Sequence, residues 1–174
     1  MPYISGLGGT GAERASKTKL DLPPGADPAC FICRGVAESA DRENLILERT
    51  AHSVTILNRF PYNNGHLLVA PLAHKGRPHE LSNPEQLDLQ QLISQYVERI
   101  ERLMHAEGFN IGLNLGRAAG AGVPGHLHWH IVPRWFGDTN FMTPVAAIQI
   151  LPQALDALWE MFHEANAPGS GKPG

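Results

Sequence analysis

Gly125-His126-Leu127-His128-Trp129-His130-Ile131-Val132-Pro133-Arg134 alternates histidine with large apolar residues. Strict alternation is the pattern of a half-buried strand, because successive side chains leave the pleat on opposite faces. Leu127, Trp129 and Ile131 are expected to point inward and the three imidazoles to share the other face. Residues two apart on one face stand about 6 to 7 Å apart, so one small anionic group can touch more than one ring. Three chemistries fit such a row. The histidines could form a solvated strand face, or ligate zinc, for which neutral imidazole is well suited. In the third reading the middle ring attacks phosphorus, which a neutral imidazole does without prior deprotonation, while its neighbours hydrogen-bond the phosphate oxygens.

Upstream, Arg117-Ala118-Ala119-Gly120-Ala121-Gly122-Val123-Pro124-Gly125 is too small and glycine-rich for a core element. Backbone N–H groups of Gly120, Ala121 and Gly122 can approach phosphate closely in such a loop, although it matches no P-loop or dinucleotide fingerprint. Before it, Phe109-Asn110-Ile111-Gly112-Leu113-Asn114-Leu115-Gly116 alternates, which sets Asn110, Gly112 and Asn114 on one face.

Two runs, Leu45-Ile46-Leu47-Glu48 and His52-Ser53-Val54-Thr55-Ile56-Leu57, read as neighbouring antiparallel strands. Pro61-Tyr62-Asn63-Asn64-Gly65 is turn chemistry, and His66-Leu67-Leu68-Val69-Ala70-Pro71 follows as a more buried strand. Ser82-Asn83-Pro84-Glu85 supplies a cap, a first-turn proline and an acid for the helix dipole. From there Leu89, Leu92, Ile93, Tyr96, Val97, Ile100, Leu103 and Met104 recur at threes and fours, predicting a helix that stops near Gly108 and packs on the sheet. A second helix is expected over about residues 152–165, with Leu155, Leu158, Trp159 and Phe162 on one side.

The chain's 174 residues, 43% hydrophobic, suit one globular domain. A net charge of −3 argues against a basic surface for nucleic-acid polymers. No apolar run reaches the roughly 20 residues of a membrane span, and no secretory leader is evident, so a cytoplasmic location is the expectation. Residues 1–28 read as a flexible arm, 29–166 as the domain and 167–174 as a disordered tail. Cys30 and Cys33 form a Cys-x-x-Cys pair, which in a reducing compartment favours metal or redox chemistry over a structural disulfide.

Val123 to Arg134, with its His-x-His-x-His core, resembles the signature of the histidine triad superfamily. The likeness extends to Leu57–Pro71 and Gly108–Gly116, covers roughly residues 29 to 160, and is strongest to the branch of fragile-histidine-triad and diadenosine tetraphosphate phosphorylase proteins. The resemblance implies an α+β fold, an antiparallel five-stranded sheet with two main helices, extended by homodimerisation. It implies an enzyme that cleaves dinucleoside polyphosphates through a nucleotidyl intermediate on His128, assisted by His126 and His130, with Asn58 at the ribose and Asn114 near the phosphates. For His66 the expectation is a packing or supporting role. Zinc-binding members of the superfamily carry the pattern seen here as Cys30, Cys33, His74 and His126, a possible structural zinc site. Because the branch often has a hydroxyl residue where Ala121-Gly122 stands, water is expected to compete with inorganic phosphate as the second acceptor. A noncatalytic nucleotide-binding module, a nucleoside phosphoramidate hydrolase and a zinc hydrolase using all three triad histidines are the alternatives.

Overall fold

Glu85 caps the long helix much as its sequence position requires, accepting the backbone N–H of Ser82 at 2.7 Å while Lys75 pairs with it at 2.7 Å. The computed structural model describes residues 20–22, 25–138 and 154–166. Five strands, β1 (Ile46–Arg49), β2 (Ser53–Leu57), β3 (Leu67–Pro71), β4 (Gly108–Leu113) and β5 (Trp129–Arg134), form one antiparallel sheet. Their order is β1-β2-β3-β5-β4, so β5 enters between β3 and β4. Three helices accompany them: α1 (Phe31–Ala37), α2 (Asn83–Met104) and α3 (Leu155–Asn166). The two longer ones are those the hydrophobic periodicity predicts. Helix α1 is additional, and its seven residues are too few to show a helical period. The expected arm of residues 1–28 lies mostly, and the tail of 167–174 wholly, outside the described residues.

The sheet has two differently used faces. Helix α2 buries Leu89, Leu92, Ile93, Tyr96 and Ile100 against the face carrying Leu57, Leu67 and Ile131, all of them at most 6% exposed. Burial of this order contributes about 1.5 to 3 kcal/mol per large apolar side chain. On the opposite face Ile46, Ile56, Leu68, His130 and Gly112 stand in register, one from each strand. Its members from Ile46 to His130 are the floor of the site. Helix α3 closes the β1 end, where the Trp159 indole N–H donates to the Ile46 carbonyl at 2.9 Å and Phe162 meets Tyr96.

The turn into β3 depends on one glycine. Gly65 has φ +71°, and a Cβ there would lie 2.7 Å from the Met104 sulfur. Asn63 pins this turn to the end of β5 by donating to the Pro133 carbonyl at 3.0 Å.

Candidate active site

Strand β5 begins at Trp129, so His126 and His128 lie in the segment leading into it. The three imidazoles therefore do not share one strand face as the alternation implies. Leu127 and Ile131 do go inward. The reason lies in partners distant in sequence: the Leu127 N–H donates to the Lys75 carbonyl, and the His126 ring is drawn away toward Pro71 and the cysteine pair.

Hydrogen bonds assign each ring a tautomer. The His126 Nε2–H donates to the Pro71 carbonyl at 2.8 Å, which leaves the Nδ1 lone pair aimed at the cysteines. His128 donates Nδ1–H to the His126 carbonyl at 2.8 Å, leaving Nε2 unprotonated. His66 accepts the Tyr62 backbone N–H at Nδ1, 3.0 Å, and its Nε2–H donates to His130 Nδ1 at 2.9 Å. Proton placement then requires His130 to carry its hydrogen on Nε2, a buried atom with no partner among the described residues. A free nucleophilic lone pair on His128 thus stands beside a free donor on His130, with ring centroids 5.2 Å apart.

Burial keeps His66 and His130 neutral. It pushes His66 down to about 3, with His130 and His128 adding to the effect, and it lowers His130 in the same way with His128 beside it. Neutral imidazole is what an N–H···N bond between two histidines needs.

Above the floor opens a cavity of about 710 Å3, a volume usual for small-molecule sites. His128, His130, Asn58, Gly120 and Gly122 line it together; Asn114 and Ala121 do not. Asn114 follows the end of β4. Asn58 is already engaged on both ends of its amide, accepting from the Phe60 N–H at 3.0 Å and donating to His66 at 3.2 Å. In the glycine-rich loop the N–H groups of Gly120 and Ala121 are consumed by the carbonyls of Arg117 and Gly116, so of the expected cradle Gly122 keeps a backbone donor with no partner among the described residues. Residues not singled out by the sequence also surround the cavity: Phe31, Phe60 and Tyr62, which are 41%, 81% and 69% exposed, Arg34 on α1 and Glu38 at its C-cap. Tyr62 stacks on His130 at 5.7 Å. The proline-tyrosine turn was the available signal for Tyr62, whereas α1 gave none.

Cys30, Cys33, His74 and His126 come together beside this site, each offering one ligand atom within 4.8 Å of the others. His74 Nδ1 is 3.2 Å from Cys33 Sγ, and His126 Nδ1 is 3.4 and 3.5 Å from the two sulfurs. A tetrahedral zinc with about 2.3 Å bonds to sulfur and about 2.0 to 2.1 Å bonds to nitrogen has ligand-to-ligand edges of about 3.3 to 3.8 Å. The donor set fits such an ion, and the His126–Pro71 bond supplies the support that orients a ligating ring. Burial pushes the Cys30 thiol up to about 11, so metal binding here must displace a proton.

The HIT domain family model matches residues 40–137, and the chain belongs to the HIT family. Within it, the chain is 37% identical to the AP-4-A phosphorylase of Mycobacterium tuberculosis over 137 residues, which cover 79% of this chain and 70% of that one. It is 30% identical to adenosine 5'-monophosphoramidase hnt1 of Schizosaccharomyces pombe, over 76% of this chain and 94% of the relative. Among solved structures, a hypothetical histidine triad nucleotide-binding protein of Sulfolobus tokodaii superposes with a TM-score of 0.62 at 25% identity, over 78% of this chain and 91% of that one. These named relatives include enzymes, and this chain is an enzyme of the same family.

Proposed function

We propose that the protein cleaves dinucleoside polyphosphates at the α-phosphate through a covalent nucleotidyl-His128 intermediate. The observation that carries this is the pairing of an unprotonated His128 Nε2 with an unpartnered His130 Nε2–H in one cavity. In the first step Nε2 of His128 forms the bond to phosphorus, and the bridging P–O bond breaks to release the remaining nucleoside polyphosphate. The His130 N–H donates to a phosphate oxygen as charge shifts onto it, and His66 holds that proton in place. The modified imidazole is cationic, and the His126 carbonyl that accepts its Nδ1–H stabilises it. In the second step water or inorganic phosphate attacks phosphorus, the P–N bond breaks, and His128 returns to neutrality.

Cys30, Cys33, His74 and His126 would hold a zinc ion as a closed structural centre, with no open position for substrate. His126 thereby serves the reaction through its backbone carbonyl and the metal through its ring. His128 is outside the donor set, which argues against a zinc hydrolase built on all three triad histidines.

Turnover of diadenosine tetraphosphate, with and without inorganic phosphate and with products identified, tests the reading. Ala121-Gly122 offers no hydroxyl, and of the Gly120 to Gly122 N–H groups that of Gly122 alone has no partner among the described residues to keep it from phosphate. A hydrogen bond lost to bound phosphate is worth about 1 to 3 kcal/mol, roughly tenfold per 1.4 kcal/mol. Cleavage without phosphate is therefore expected to yield a nucleoside monophosphate, with added phosphate diverting some product to the diphosphate. Strict dependence on phosphate would overturn the assignment of water as an acceptor, and no cleavage under either condition would overturn the proposed reaction.

A further inference from the structure

Resting on the reading that the cavity holds a nucleotide, we propose that its far end reads the base edge and favours guanine, with Glu38 as the selecting residue. The floor runs from His130 on β5 across Leu68 and Ile56 to Ile46 on β1. Three strand spacings make about 14 Å, which sets the β1 end where the base of an extended nucleoside phosphate would reach from the triad. Ile46 and Ile56 give that end an apolar floor, and Phe31 contributes an aromatic face. A flat base is what such a slot accepts.

Positions 31, 34, 35 and 38 are spaced as one face of α1 continued through its C-cap, and all four line the cavity. Gly35 supplies no side chain, so the polar groups at this end come from Arg34, Glu38 and Asn44. Asn44 Nδ2 donates to Glu38 Oε2 at 2.7 Å, which fixes the carboxylate. Glu38 Oε1 has no hydrogen-bond partner among the described residues, and neither has the Arg34 guanidinium. The end of the slot therefore presents a carboxylate held by Asn44 next to the positive charge of Arg34.

Guanine matches this set. Its N1–H and N2–H are adjacent donors that a carboxylate accepts side by side, and its O6 accepts from a guanidinium. Adenine brings a single exocyclic amino donor to the same edge, beside the N1 acceptor that a carboxylate repels. Hypoxanthine retains N1–H and O6 but lacks the N2 amino group, so it isolates one of the two bonds.

Equilibrium binding of GMP, IMP and AMP to the whole protein, measured by calorimetry, tests this without requiring turnover. A charge-assisted hydrogen bond lost at a partly buried site costs about tenfold or more in affinity. The expected order is GMP, then IMP, then AMP, with GMP at least tenfold tighter than AMP. Glu38→Gln keeps the side chain's size, and it is expected to reduce the GMP-to-AMP ratio about tenfold. Equal binding of GMP and AMP by the wild type, a preference for AMP, or a ratio unchanged in E38Q would each overturn the assignment. A guanine preference in a protein that cleaves no dinucleoside polyphosphate would leave base reading standing and remove the proposed reaction; cleavage with no base preference would do the reverse.

Discussion

Each imidazole near the triad is assigned a different task by the atom that takes its hydrogen. His128 keeps Nε2 bare because the His126 carbonyl occupies Nδ1–H, and His130 presents Nε2–H because His66 supplies its Nδ1 partner. His128→Asn should abolish turnover while far-ultraviolet circular dichroism and nucleotide binding stay near wild type, since the amide removes the nucleophile but little volume. Activity near wild type would mean that another group attacks. His66 carries a stability consequence as well. Its folded value near 3 lies below the ordinary 6.5, so the unfolded chain binds the proton more readily, and the stabilisation present above about 6.5 is lost as pH falls toward 3. At about 1.4 kcal/mol per pH unit, His66 alone removes up to about 2 kcal/mol between pH 6.5 and 5. Urea unfolding of wild type and His66→Gln at both pH values checks this: the variant's loss over the interval should be smaller by that amount, and parallel losses would contradict it. The sequence exposed His126, His128 and His130 by their spacing, yet it could not show that His126 leaves the row. Its destination depends on Pro71 and the cysteines, 55 to 96 residues away.

Among the elements, α1 couples the two sites, because Cys30 at its N-cap and Cys33 in its first turn face the metal ligands while Phe31, Arg34 and Glu38 face the cavity. A helix of seven residues has little stability of its own; Arg49 holds its last carbonyls, and the metal would anchor its first turn. Removing bound metal with a chelator should therefore lower Tm by several degrees and raise KM for nucleotide more than it lowers kcat. Native mass spectrometry showing no zinc, or a chelator that leaves Tm unchanged, would contradict the clip. Helix α2 and strands β1 to β3 were readable because their periods of 3.6 and 2 extend over enough residues to be counted. Helix α1 was not, and with it went Arg34 and the C-cap residue Glu38 at the β1 end of the cavity. The turn before β3 was readable from Asn63-Asn64-Gly65, and its demand is specific. Gly65→Ala would force a Cβ into positive φ and against Met104, costing about 1 to 3 kcal/mol, visible as a lower urea midpoint; an unchanged midpoint would show that the turn relaxes freely.

For the whole molecule, β4 is the sheet's open edge, with Ile111 and Leu115 on it or beside it 47% and 39% exposed. Unpaired edges of this kind invite another strand. We propose that a second copy pairs there and continues the sheet, so light scattering should give twice the chain mass and Ile111→Asp should shift it toward the monomer. A monomeric wild type would remove that proposal while leaving the cavity intact, since its floor and the triad come from one chain. What the molecule as a whole achieves is a row of side chains across four adjacent strands, apolar at the β1 end and reactive at β5. The claim on which the functional account rests is that a phosphorus–nitrogen bond forms at His128. Mixing the protein with excess diadenosine tetraphosphate, quenching in alkali where phosphoramidates survive, and measuring intact mass tests it directly. The account predicts an added mass of one adenylyl group that peptide mapping locates on His128 and that is absent from H128N. Cleaved substrate with no adduct at any time during turnover, or an adduct on another residue, would contradict it.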